Sequence, residues 1–184
     1  MTATKPDAGT TEATPKDPIE WAAHYWELHK IEGDERRFLV LSSLMRFHRL
    51  VTEGVDRELR EHGLNLTDYL MLMTLELSDD GTRLISGLAR SLLVHPTTAT
   101  LATDRLEGRG LLQRSPHPTD RRAILVTITE DGRKLVHEAT VALDAIGFGL
   151  SASKGEELAA FGQLLDKLRE EVEEDKRENG GSRR

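Results

Sequence analysis

Apolar residues recur along this chain at steps of three and four, broken by short polar segments. That spacing predicts a largely helical protein. Asp17-Pro18 reads as an N-cap followed by proline in the first turn. It opens a helix in which Ile19, Ala22, Ala23, Trp26 and Lys30 share helical spacing. Gly33 and Asp34 interrupt it, and Asp34 is placed to cap the next helix, 35–62. There Phe38, Leu41, Leu44, Met45, His48, Val51, Val55 and Leu59 form one long stripe, too long for a lone surface helix, and a partner along its length is expected. Gly63 ends the stripe as a residue just past the C-cap. Thr67 is expected to cap a helix over 68–77, with Tyr69, Leu70, Leu72, Met73 and Leu77 inward. Asp79-Asp80-Gly81 marks a turn.

The period then changes. Residues 82–85 read as a short strand, and Ser86 as the cap of a helix over 87–93. His95-Pro96 opens another helix, ended by Gly108 and Gly110, with Ala99, Ala102 and Leu106 as its buried edge. Thr97, Thr98, Leu101 and Arg105 fall on the opposite side. Two β-type runs follow, 111–115 and 123–129, and in the second Ile124, Val126 and Ile128 alternate with Leu125, Thr127 and Thr129. Pro116, Pro118 and Thr119-Asp120 make the tip between them. A helix pair followed directly by an arginine-tipped hairpin is the layout of a winged helix-turn-helix. The predicted fold class is mainly α with a small β-wing. Beyond it, 130–146 reads as a helix with Leu135, Ala139, Ala142, Leu143 and Ile146 as its stripe, broken by Gly147 and Gly149. Ser151 or Ser153 opens a last helix carrying Leu158, Phe161, Leu164, Leu165, Leu168 and Val172.

This gives five regions: a disordered tail over 1–17, N-terminal dimerisation helices over 18–62, the winged helix-turn-helix over 63–129, C-terminal dimerisation helices over 130–172, and a flexible tail over 173–184. The helices at the two ends have no evident core of their own. A dimer built from both ends would use them.

Composition narrows the chemistry. With 184 residues and no cysteine, the chain has neither disulfides nor thiolate metal sites. It has no apolar run long enough to span a membrane and no apolar segment of the secretory type near its start, so a cytoplasmic location is expected, with no membrane partner. His24 and His29 lie five apart, which is not one helix face, and no metal or cofactor is expected. No nucleophile–base order, glycine-rich phosphate loop or paired carboxylates points to an enzyme. The net charge of −7 is unevenly spread. From Asp104 to Arg122 five arginines face three acids, net +2, whereas Asp166 to Glu178 holds seven acids and four bases, net −3. DNA reads the local surface rather than the sum.

The run L-A-R-S-L-L-V-H-P-T-T-A-T-L-A-T-D-R-L-E-G-R-G-L-L-Q-R, followed by P-T-D-R-R-A-I-L-V-T-I-T-E-D-G, resembles the MarR family of bacterial transcription regulators over roughly 35–146. The resemblance implies a homodimeric winged helix-turn-helix protein on double-stranded DNA with a pseudo-palindromic operator. It implies a repressor, released by a small aromatic or phenolic effector. Members often carry a long polar residue, commonly arginine, where Leu101 stands, so a strong guanine contact is less expected there. Trp21 and Trp26 resemble an extension found in a urate-responsive branch, which also needs an arginine where this chain has Ala102, so urate is not carried over.

The expected DNA contacts are Thr97, Thr98, Thr100, Leu101 and Arg105 on the recognition helix, with Leu101 able to meet a thymine methyl. Arg114, His117, Asp120, Arg121 and Arg122 follow on the wing, where arginine suits a narrow A·T minor groove and Asp120 orients an arginine. The resemblance places an effector pocket between the dimerisation helices and the DNA-binding lobe, and its candidates are Trp26, Met45, His48, Arg49, Tyr69 and Met73. The same spacing also serves a packed core. The competing reading is a winged-helix protein-interaction module without DNA affinity.

Overall fold

The computed structural model describes residues 15–120, 122–151, 153 and 155–180. The chain divides at Leu50/Val51, inside one helix, into two compact units. Most of the disordered tail expected at 1–17 lies outside the described residues.

In the first unit, α1 (Pro18–Leu28) starts as its sequence demands. Asp17 Oδ1 accepts from the Ile19 and Glu20 amides, at 2.8 and 3.1 Å, and Pro18 occupies the first turn. Asp34 Oδ1 accepts from the Arg37 amide at 3.0 Å and caps α2 (Glu35–Glu61). Trp26 of α1 packs on Phe38 of α2, ring centroids 5.0 Å apart. Much of the stripe on α2 stays exposed, namely Phe38, Leu41, Leu44 and Met45; only Val55 and Leu59, in the second unit, are buried.

The second unit continues with α3 (Leu66–Glu76), β1 (Thr82–Leu84), α4 (Ile85–Ser91), α5 (Pro96–Gly108), β2 (Leu112–Pro116), β3 (Ile124–Ile128), α6 (Glu130–Ala145) and α7 (Gly155–Gly180). The sheet is antiparallel in the order β1-β3-β2, with Thr82 opposite Thr127 and Leu112 opposite Ile128. Its inner face offers Val126, Ile128 and Leu112 to Leu72, Leu75, Leu88, Leu106, Val136 and Leu143 from the helices. This is a mostly helical fold with a three-stranded wing, as the pattern predicts. Thr129 caps α6 through the Gly132 amide at 3.1 Å. Gly132 is required by space: a Cβ there would stand 2.1 Å from the Leu111 carbonyl oxygen.

Several expectations are corrected. α3 is capped by Asn65, which accepts from the Asp68 amide at 2.9 Å, and not by Thr67. Its buried face is Asp68, Tyr69, Met71, Leu72 and Leu75, while Leu70 and Leu77 are exposed, Leu77 by 77%. Both sides of this helix are apolar, so periodicity alone does not choose the inward face. Ser86 caps nothing: β1 runs directly into α4, which starts at Ile85 with Leu84 as its N-cap. α7 starts at Gly155, beyond both Ser151 and Ser153, and runs past Glu173 to Gly180. Ion pairs one helical turn apart support that extension, such as Arg177 with Glu173 at 3.5 Å.

Candidate nucleic-acid interface

α5 lies on α3 and α4 through Ala99, Ala102, Thr103 and Leu106, all fully buried. That seating leaves Thr97, Thr98, Leu101 and Arg105 exposed along the other side, as the spacing predicts, and Thr100 and Asp104 are exposed as well. His95 is the N-cap. Its Nδ1 accepts from the Thr97 amide at 3.3 Å and stands 3.1 Å from Thr97 Oγ1. Thr100 Oγ1 donates to the Pro96 carbonyl at 3.0 Å.

The charged residues of α5 are all engaged within the chain. Arg105 donates to Asp68 Oδ1 at 2.7 Å, and Asp68 is only 4% exposed. This ties α5 to α3. Arg114 of β2 reaches Asp104 at 2.5 Å and Glu107 at 3.4 Å, and its amide donates to Glu107 at 3.2 Å. Those bonds strap the base of the wing to α5. Just beyond α5, Arg109 donates to the carbonyls of His62 and Gly63 after α2. Three of the five arginines that make the 104–122 window basic therefore have partners inside the fold.

The wing tip is organised by side-chain acceptors. His117 Nδ1 accepts from the Asp120 amide at 3.2 Å and the Thr119 amide at 3.4 Å. Asp120 Oδ1 accepts from the Arg122 amide at 2.9 Å. Asp120 thus bonds the backbone that carries Arg122. The Arg122 side chain has no ion pair or hydrogen bond among the described residues and is exposed. Arg121 lies outside the described residues. Arg90 extends the set that sequence reasoning gave. It is exposed at the end of α4, has no ion pair among the described residues, and lines a groove with Ser86, Leu93 and Pro96. Its place in the last turn before the helix-turn-helix turn was the available signal.

The six effector candidates fall in both units. In the first, Trp26 lines an apolar cavity of 580 Å³ together with Trp21, Tyr25, His29, Ile31 and Phe38. Met45, His48 and Arg49 are exposed on α2. In the second unit Tyr69 is buried, with its hydroxyl 3.1 Å from Thr140 Oγ1, and Met73 packs against the core. Tyr69 is a core residue with a satisfied hydroxyl. Tyr25 and His29 were not among the pocket candidates because, with Trp21, they repeat every four residues off the stripe that defined α1.

A model of the MarR family matches residues 64–124, which span α3 to the start of β3. The chain is similar to the uncharacterized HTH-type transcriptional regulator YhbI of Bacillus subtilis, 30% identical over 118 residues, covering 63% of this chain and 77% of that one. It is similar to the transcriptional repressor MprA of Escherichia coli K12, 26% identical over 162 residues, covering 86% and 92%. Among solved structures it resembles Sco5413, a MarR family transcriptional regulator from Streptomyces coelicolor, with 33% identity, a TM-score of 0.71, and coverage of 77% of this chain and 98% of that one.

Proposed function

The chain belongs to the MarR family of transcriptional regulators, and on that premise we propose that it acts as a homodimeric repressor, bound to a pseudo-palindromic operator and released by a small aromatic or phenolic ligand. The observation that carries this reading is one surface of the second unit. There the outer side of α5 and the guanidinium of Arg122 are both exposed, and internal bonds hold the backbone beneath each of them. A helix of this kind enters the major groove, while an arginine on the adjacent hairpin suits the minor groove.

The second copy has a place to bind. On α7, Leu158, Leu165, Leu168 and Val172 are exposed and, with Phe161, follow steps of three and four. The stripe on the first half of α2 is exposed as well. Residues 18–62 and 130–172 are the dimerisation helices in this reading, and 63–129 the DNA-binding region. Two recognition helices would address successive major grooves about 34 Å apart. A ligand that favours another separation lowers DNA affinity by the ratio of its affinities for the two arrangements. The aromatic lining around Trp26 supports a planar aromatic ligand in the first unit. Repression is the role of the similar MprA. The protein would work in the cytoplasm, beside the DNA it reads.

A gel shift on the DNA upstream of its own gene tests the reading. Sequence-preferring binding that weakens steeply with salt supports it. Arg122→Ala is expected to weaken that binding. Equal binding of any DNA would contradict an operator-specific repressor, and no binding would leave a winged-helix protein-interaction module as the better account.

A further inference from the structure

We propose that the recognition helix α5 reads thymine 5-methyl groups, so that the major-groove half-site is thymine-rich and Leu101 is its main specificity-determining residue. This rests on the DNA-binding reading above and specifies what that surface recognises.

Bases are discriminated in the major groove by two kinds of contact. One uses side chains that donate or accept along a base edge, chiefly Arg, Lys, Asn, Gln, Asp and Glu. The other is apolar contact with the thymine methyl, which no other base presents. On α5 the first kind is nearly absent. The helix has no Lys, Asn or Gln. Its one arginine, Arg105, is bound to buried Asp68, and its acids, Asp104 and Glu107, are both bound by Arg114.

The threonines point the same way. The Thr100 hydroxyl is turned back onto the Pro96 carbonyl, and the Thr97 hydroxyl lies against His95 Nδ1. A hydroxyl whose proton is spent on the helix's own turn no longer donates to a base. What these residues offer the groove is then a methyl group and an acceptor oxygen. Thr98 alone among the three exposed threonines has a hydroxyl with no partner among the described residues. Beside them stands Leu101, 54% exposed, one turn along from Thr97 and Thr98 and clear of the core. An exposed leucine among threonine methyls gains by covering another apolar group. Base pairs without thymine present no methyl group there.

The second source of affinity is separate from this readout. Arg122 and Arg90 have guanidinium groups with no ion pair among the described residues, and they act on the minor groove and on phosphate. Removing a thymine methyl leaves the minor-groove edge and the phosphates unchanged. That makes the two terms separable by experiment.

The full-length protein is used to select duplexes from a random 30-base-pair library. Each thymine of the selected half-site is then replaced, one at a time, by deoxyuridine, which lacks only the methyl. At one or more positions the substitution is expected to weaken binding about fourfold, the worth of one buried methyl-sized group. Leu101→Ala should bind thymine and uracil duplexes alike at that position. Because Leu101 is outside the core, this variant should keep the wild-type helical circular-dichroism spectrum. Arg122→Ala should lower affinity for both duplexes and preserve the ratio. Equal binding of thymine and uracil at every position overturns the proposal, and so does full discrimination by Leu101→Ala. A selected half-site without thymine overturns it as well and leaves the DNA-binding reading intact. Failure to enrich any duplex overturns both.

Discussion

Arg105 donates to Asp68 across 37 positions of sequence, at 2.7 Å, and thereby holds the recognition helix onto α3. Sequence alone set Arg105 facing DNA. Asp68 is the more buried partner, at 4%, while the Arg105 side chain remains 48% exposed. Truncating the arginine leaves a buried carboxylate without its cation. Arg105→Ala is expected to destabilise the fold by about 1–3 kcal/mol, read as a shift in urea midpoint. Unchanged stability with lower DNA affinity would show that Arg105 serves DNA instead.

Arg114 neutralises Asp104 and Glu107 on the flank of α5. Arg114→Ala frees two carboxylates beside the surface meant for phosphate. Its loss of affinity should therefore exceed that of Arg122→Ala, which removes one free cation, when both are titrated at the same salt. A smaller loss for Arg114→Ala would remove the strap from the account.

Asp120 acts through the backbone of Arg122. Asparagine keeps an acceptor oxygen at the same place, and both residues form this turn. Asp120→Asn should bind DNA nearly as well as the parent, whereas Asp120→Ala should bind about two- to tenfold more weakly, the cost of one lost hydrogen bond. Equal effects of the two substitutions would mean that the negative charge itself matters.

Leu165 and Leu168 are exposed on α7 in a three-and-four spacing. Leu165→Glu with Leu168→Glu should shift the protein from dimer to monomer in sedimentation equilibrium, while the helical content of the second unit persists. A dimer that survives both changes assigns the contact elsewhere.

Much of this was legible because it is punctuated locally. Asp17-Pro18, Gly63, His95-Pro96 and Thr129 each mark a helix end by their own backbone chemistry, and the structure places helix ends there. The outer side of α5 was legible because small residues, Ala99 and Ala102, mark the opposite one. The inward side of α3 was not: Leu70, Met71, Leu72, Met73 and Leu75 are apolar in every direction, and only the neighbouring helices select among them. Nor were the partners of the arginines. A run of basic residues looks like a phosphate-binding surface until the groups that hold three of them are found, and Asp68, the partner of Arg105, comes from a different helix. His117 was expected among the wing's DNA contacts, and its second role, an Nδ1 acceptor for the wing's own amides, was not legible.

Hydroxyl-radical footprinting of a selected duplex tests the central claim most directly. The account predicts two protected patches on one face of the duplex, centred one helical turn apart, each flanked by minor-groove protection that is lost in Arg122→Ala. A single patch, or uniform cleavage at protein concentrations that retard the duplex, would contradict it.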